Sequence, residues 1–242
     1  WRLQYAGSEY YCNVCDFYLK SWVYVGPVDH ANRVCPVCNS YGRHRMMALV
    51  LERELGPFDC DLSLLHFAPE MGLQRWIKRR MPQARYLSTD LDSSEVDISM
   101  DVQHMKLPKA SIDVVLLSHV LEHIDDDMQA LREIYRVLAP GGRLFLQIPL
   151  SEMAVTQEEK LATAEEHLAR YGKTDHVRLY GDDITVRLAS TGFEITAYRA
   201  GDEGFRDKWE YMALDIPPTS TMLYDNESTT FVCKKKMYVG DF

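Results

Sequence analysis

The 242-residue sequence has no apolar run approaching the roughly 18–20 residues that a membrane-spanning helix needs. Its first residues, Trp1-Arg2-Leu3-Gln4, lack the basic stretch and apolar core of a secretory leader, and the chain does not start with Met. A cytoplasmic location is the expectation. Positive charge is also short: 27 Lys and Arg face 36 Asp and Glu, for a formal net charge of −9. Residues 1–56 hold six Lys/Arg against five Asp/Glu, so the acidic excess lies beyond them. An acidic surface repels a phosphate backbone and gains nothing from counterion release. A long nucleic acid is therefore disfavoured as the main substrate. Otherwise the composition, 46% hydrophobic and 26% charged, is that of an ordinary globular protein. The length suits one α/β domain with a small accessory module.

Cysteine is scarce, with six in all, yet four of them form two C-x-x-C pairs, Cys12/Cys15 and Cys35/Cys38. Nineteen residues separate the pairs, a spacing that fits a four-cysteine zinc site. Each pair reads as a turn that aims two thiolates at one tetrahedral ion. Two disulfides are the alternative, opposed by the reducing compartment expected above. With four thiolates no position is open for water, so the Zn2+ would be structural. Cys60 and Cys233 stand alone and read as buried small hydrophobes.

Aromatic residues crowd 10–39, which predicts short strands around the metal with a turn at Gly26-Pro27. Residues 43–55 have helical periodicity, ended by Gly56-Pro57. Buried parallel strands are predicted at 62–67, 86–88, 112–117 and 144–148, with a short further strand before Asp101. A helix opens at Asp125-Asp126-Asp127, turns Met128, Leu131, Tyr135 and Leu138 inward, and stops at Pro140-Gly141-Gly142. Further helices are expected at 158–170 and 182–190, and strands at 193–198 and 229–234, the last pair antiparallel. The alternation predicts an α/β fold, a Rossmann-like, doubly wound and mostly parallel sheet, with a small N-terminal zinc-ribbon module. The expected division is a ribbon over 1–42, a connecting helix over 43–57 and a main domain over 58–242.

In such a sheet a ligand binds beyond the carboxyl ends of the strands. The first strand–helix turn runs His66-Phe67-Ala68-Pro69-Glu70-Met71-Gly72. Asp90 follows the second strand, eighteen residues past Gly72, where a carboxylate accepts hydrogen bonds from both hydroxyls of a ribose. Asp101, followed by Val102, stands after the third strand, placed to cap an adenine amino group.

The segments Ser118-His119-Val120-Leu121-Glu122-His123-Ile124 and Arg136-Val137-Leu138-Ala139-Pro140-Gly141-Gly142 resemble those of class I methyltransferases of the type 11 kind, and this resemblance runs from about residue 62 to 149. Cys35-Pro36-Val37-Cys38, Arg43-His44-Arg45 and Asp175-His176-Val177-Arg178-Leu179-Tyr180-Gly181 resemble a subgroup that fuses a zinc ribbon to such a domain. The resemblance implies S-adenosylmethionine as cofactor, held by Ala68, Glu70, Gly72, Asp90, Leu91, Asp101, Val102 and Ser118. The family's first turn usually reads D-x-G-x-G-x-G. Here His66 replaces the Asp, Ala68 and Glu70 replace two glycines, and Gly72 alone is kept. Glu70 could bind the cofactor's ammonium; the alternative is a closed pocket and a scaffolding role.

Candidate catalytic residues are His119 and His123 at the tip of the fourth strand, and His176 and Arg178 in the segment expected to cover the pocket. The set His119, Glu122 and His123 is also similar to an E-x-x-E-H arrangement that holds a divalent cation in some quinone-pathway methyltransferases, with His in place of the first Glu. The implied function is methyl transfer to oxygen or nitrogen of a small molecule or glycan. An RNA methyltransferase docking through the ribbon and a non-catalytic interaction protein are the alternatives. The regions 151–180 and 199–228 are where acceptor selection is expected.

Overall fold

The computed structural model describes residues 2–26, 32–59, 61–160, 163–214 and 229–237. It divides into two compact units, one of Trp1–Cys60, Glu70–Gln83 and Tyr198–Thr230, the other of Asp61–Pro69, Ala84–Ala197 and Phe231–Phe242.

In the first unit a four-residue helix α1 (Arg2–Tyr5) leads into the hairpin β1 (Ala6–Cys12) and β2 (Phe17–Leu19). A second hairpin pairs β3 (Val23–Val25) with β4 (Asn32–Val34). These are the short strands that the aromatic-rich stretch predicts; Pro27 of the expected turn lies outside the described residues. The core helix is α2 (Gly42–Leu55), with Met46, Met47, Ala48, Val50 and Leu51 fully buried. Helix α3 (Met71–Arg80) buries Leu73, Trp76 and Ile77, and Phe58 meets Trp76 edge-on at 5.8 Å. Gly72, in the first turn of α3, is closely fitted: a Cβ there would stand 3.0 Å from the carbonyl oxygen of Cys38. A short helix α7 (Trp209–Met212) completes the described part.

The second unit carries a seven-stranded sheet. Its strands are β5 (Ser63–Phe67), β6 (Arg85–Asp90), β7 (Ile98–Ser99), β8 (Ile112–Ser118), β9 (Leu138–Gln147), β10 (Phe193–Tyr198) and β11 (Thr230–Lys235), in the order β10-β11-β9-β8-β5-β6-β7. From β7 to β9 every pairing is parallel, as the sequence predicts, and β11 joins β9 antiparallel, with β10 beside β11 at the edge. Every residue of β5 is buried, Ser63 and His66 along with Leu64, Leu65 and Phe67, as befits a central parallel strand. The sheet order reverses between β5 and β8, the point where a doubly wound fold opens a crevice.

Helix α4 (Asp127–Val137) begins where the aspartates predict, with Asp126 Oδ1 accepting the amide of Gln129 at 2.8 Å. It ends at Val137, so Pro140-Gly141-Gly142 lies within β9 and does not terminate the helix. The ammonium of buried Lys235 caps its last turn, donating to the carbonyls of Tyr135 and Leu138 at 2.7 Å each. Helices α5 (Ala164–Tyr171) and α6 (Ile184–Ser190) start later than periodicity suggests, the first after a capping box of Thr163 and Glu166. Cys233 is fully buried, and burial pushes its thiol pKa up; Cys60 lies outside the described residues.

Candidate functional site

The carboxyl ends of β5, β6, β7 and β8 come together around a cavity of ≈ 350 Å³. Three carboxylates line it, Asp90, Asp92 and Asp101, together with the apolar side chains of Phe67, Leu91, Met100 and Val102. Ala68, His119, Val120, His123 and Ile124 close the wall. Five of the expected cofactor residues thus share one cavity: Ala68, Asp90, Leu91, Asp101 and Val102. Ser118 is buried at the end of β8 and faces Gln147 Oε1 at 3.3 Å. Glu70 and Gly72 do not line this cavity. They line a smaller cleft inside the first unit, where Glu70 Oε1 meets His44 Nε2 at 3.1 Å.

Asp90 and Asp101 are each fixed by their own loops. Asp90 Oδ1 accepts the amides of Asp92 and Ser93 at 2.9 and 3.2 Å. Asp101 Oδ1 accepts the amide of Gln103 at 2.8 Å, and Oδ2 stands 3.2 Å from His104 Nδ1. Burial works to raise the Asp101 pKa, but these hydrogen bonds outweigh it and hold the carboxyl below its ordinary range. Ala68 keeps in conformation what it lacks in identity. Its φ of 45° is in the left-handed region natural to the glycine it replaces, and its amide donates to Thr89 at 2.8 Å. Substituting Ala68→Gly is expected to stabilise the fold by about 0.5–1 kcal/mol in urea unfolding. Relief of about 1–2 kcal/mol of strain exceeds the added freedom of an unfolded glycine, about 0.4–1 kcal/mol.

His119 also has a positive φ, 53°, held by its amide bond to the Gln147 carbonyl at 2.9 Å. Its Nδ1 lies 3.2 Å from Oε1 of Glu122, a carboxylate that is 1% exposed. Burial works to raise the Glu122 pKa, yet the adjacent His119 outweighs it and holds the group below the usual carboxylate range. His123 Nδ1 donates to the Asp175 carbonyl at 3.1 Å, and its ring meets that of His176 at 4.8 Å. Burial pushes the His176 pKa down to about 4, against the pull of Glu122. Glu122, His123 and His176 offer polar atoms within 4.8 Å of one another.

Arg178 sits apart from the cavity wall. It is buried, and its guanidinium donates to the carbonyls of Leu121, Ile124 and Asp125. It therefore fixes the backbone of the turn that carries His119 and His123. Beside it a buried network joins Asp127 to Arg187 Nη1 at 3.0 Å and to the Tyr180 hydroxyl at 2.9 Å, while Arg187 also pairs with Glu158. Sequence reasoning missed Asp127 and Arg187 in these roles, because they are 60 residues apart.

Asp101, Glu133 and Glu158 share a consequence. The Arg136 guanidinium holds Glu133 below the ordinary carboxyl range; for Glu158, burial works upward and Arg187 with Arg178 outweighs it. The folded state therefore releases these protons more readily than the unfolded chain, whose carboxyls titrate near 4. Their stabilisation is complete above that range and disappears as pH falls through and below it. The melting temperature is expected to drop between pH 5 and 3, at about the unfolded carboxyl range and below; a flat profile in circular dichroism would contradict this.

In the first unit the four cysteine sulfurs lie within 4.8 Å of one another, with Cys12–Cys38 and Cys15–Cys35 each at 3.7 Å. Ligands at about 2.3 Å from a tetrahedral zinc stand about 3.8 Å apart, whereas a disulfide needs about 2.05 Å. The residue after each pair, Asp16 and Asn39, has a positive φ (54° and 59°), so both turns close alike. Arg45 is buried alongside, its guanidinium 4.2 Å from the Trp22 ring. It donates to the carbonyls of Arg33, Ser40, Met212 and Ala213. The Ser40 hydroxyl lies 3.2 Å from both Cys12 and Cys38 sulfurs.

Residues 73–146 match the family described as methyltransferase domain. The chain is 26% identical over 121 residues to the ubiquinone/menaquinone biosynthesis C-methyltransferase of Pseudoalteromonas translucida, covering 42% of this chain and 47% of that one. It is 30% identical over 97 residues to the demethylmenaquinone methyltransferase of Listeria monocytogenes, covering 40% and 37%. The matched stretch spans less than half the length of each relative. Among solved structures, an S-adenosylmethionine-dependent methyltransferase from Archaeoglobus fulgidus superimposes with a TM-score of 0.52 at 13% identity, covering 79% of this chain and 94% of that one. The chain has the Rossmann-like fold of the class I S-adenosylmethionine-dependent methyltransferases. Among the described residues no helix is long and apolar enough to cross a membrane.

Proposed function

We propose that the chain binds S-adenosylmethionine in the cavity at the strand tips and transfers its methyl group to oxygen or nitrogen of a small molecule or glycan. The observation that carries this reading is Asp90 at the end of β6, lining a cavity at the sheet's switch point beside Ala68. One carboxylate oxygen anchors its loop, which leaves the other for a ribose hydroxyl. Leu91 and Val102 offer apolar walls to a flat base, with Asp101 at its edge. The positive-φ turn at Ala68 borders the same space, and Ser118 is buried at the end of β8, one residue before the lining His119. Glu70 is paired with His44, and Gly72 fits closely beneath Cys38, so the reading gives neither a cofactor contact.

The cofactor supplies an activated methyl on a sulfonium centre. The protein's part is to align the acceptor, exclude water and manage one proton. His119 and His123 are on the wall where that proton would be handled. The relative named as a C-methyltransferase marks carbon as the competing acceptor atom. The four cysteines hold a structural Zn2+ in this reading, with the buried Arg45 cation offsetting the excess negative charge of a four-thiolate site.

Isothermal titration with S-adenosylhomocysteine tests the proposal. Saturable binding with one site per chain is expected; no heat at high protein concentration would remove the methyltransferase reading and leave the scaffold alternative.

A further inference from the structure

The cavity wall contains a pairing that general methyl transfer does not require. Glu122 is 1% exposed, and neither of its carboxylate oxygens makes a hydrogen bond among the described residues. A buried carboxylate without a partner costs several kcal/mol, so a charge of opposite sign or a proton donor belongs beside it. The group in place is His119, whose Nδ1 is 3.2 Å from Glu122 Oε1. With Nδ1 carrying the proton toward Glu122, the other ring nitrogen is a lone-pair base. That atom, Nε2, is buried and has no hydrogen-bond partner among the described residues, while other parts of His119, a residue that lines the cavity, keep the ring partly exposed. The left-handed backbone at His119 (φ 53°) adds a cost that the surrounding fold sustains.

We infer that His119 is the general base of this site, oriented by Glu122, and that the acceptor is therefore a hydroxyl group. This rests on the methyl-transfer reading above. The two other histidines suit the role less well. His123 has the same tautomer, but its Nδ1 donates to the neutral Asp175 carbonyl, with only the exposed Asp175 carboxylate 3.4 Å away in place of a buried one, and His176 is buried and does not line the cavity. The charged and titratable groups around the pair include His123 on the same turn and His176, Asp175, Lys173 and Tyr180 from the segment packed on it.

The acceptor class follows from acid strength. A phenol or alcohol holds its proton at neutral pH, with a pKa near 10 or above, and is a weak nucleophile until the proton leaves. An aliphatic amine, protonated at neutral pH, can shed its proton to water before the step and then presents its lone pair without a base at hand. In the step, the O–H proton passes to His119 Nε2 as the oxygen lone pair forms the O–CH3 bond. The S–CH3 bonding electrons return to sulfur, which leaves as a neutral thioether, S-adenosylhomocysteine. Charge balances, because the sulfonium's positive charge is transferred to an imidazolium facing the Glu122 carboxylate.

Two measurements on the full chain saturated with S-adenosylhomocysteine or S-adenosylmethionine test this. The first needs no acceptor: nitrogen-15 NMR of the histidine rings across pH. It should show His119 with the proton on Nδ1, and Glu122→Gln should lower its pKa by about one unit or more while the fold and product binding persist. A proton on Nε2, or no shift in Glu122→Gln, overturns the pairing. A second equivalent of zinc that is lost in His176→Ala would do so too, since a metal would then occupy Glu122. The second measurement is methylation of three probes: catechol, 4-nitrocatechol, whose hydroxyl is largely ionised at pH 8, and benzylamine. His119→Gln should slow catechol methylation by about 10²–10⁴-fold and 4-nitrocatechol far less. Equal losses on both catechols, methyl on carbon, turnover of the amine alone, or turnover of no probe overturns the hydroxyl assignment. Failure to bind S-adenosylhomocysteine at all would instead sink the underlying reading.

Discussion

Replacing Cys12 with serine is expected to leave the purified chain with less than half an equivalent of zinc and to lower its melting temperature by on the order of 10 °C. Cys12 is fully buried, and its sulfur touches both the Cys38 sulfur and the Ser40 hydroxyl. Serine is a poor zinc ligand, so the substitution removes the ion as well as one bond. The loss would extend beyond the cysteines. Arg45 is buried beside them with a full positive charge, and without a negatively charged site it becomes a buried cation held by carbonyls alone. Breaking such a pairing costs about 3–5 kcal/mol. Metal analysis and a thermal melt read the two effects separately. A variant that keeps a full equivalent of zinc, or melts with the parent, would refute the four-cysteine site.

Asp90→Asn should weaken S-adenosylhomocysteine binding by about 30–100-fold and shift the melting temperature by less than about 2 °C. The asymmetry arises because the carboxylate has two tasks. An asparagine oxygen can still accept the amides of Asp92 and Ser93, so the loop is retained. What goes is the second charged acceptor for a diol; hydrogen bonds to a charged group contribute about 1.5–3 kcal/mol each. Asp90→Ala would lose both functions and is the less informative change. Calorimetry decides: unchanged affinity in Asp90→Asn would place the nucleoside elsewhere.

The parallel strands and the helix of 127–137 were legible because burial and helical phase leave local marks in sequence. Asp90 and Asp101 were legible for a related reason, since a strand tip is a fixed number of residues from the turn before it. Spacing likewise found the four cysteines. Where sequence reading fell short, the partner was remote or the conformation was invisible in residue type. Arg178 read as a candidate catalytic residue, and only the fold reveals its bonds to three carbonyls more than fifty residues away. Glu70 and Gly72 belong to a recognisable turn by position, yet their neighbours are His44 and Cys38. Ala68 appeared to be a lost glycine, whereas its left-handed φ preserves the turn.

Arg45 joins the cysteine-bearing turns to residues 212 and 213, near the other end of the chain. A fragment stopping at residue 57 would omit those two carbonyls and the whole of α3, whose first turn fits beneath Cys38. Such a piece should therefore not be excised and expressed as a free-standing finger. Grafting the four-cysteine unit onto another protein would require three separate stretches of polypeptide, and proteolysis near residue 200 should loosen the cysteine cluster near the beginning.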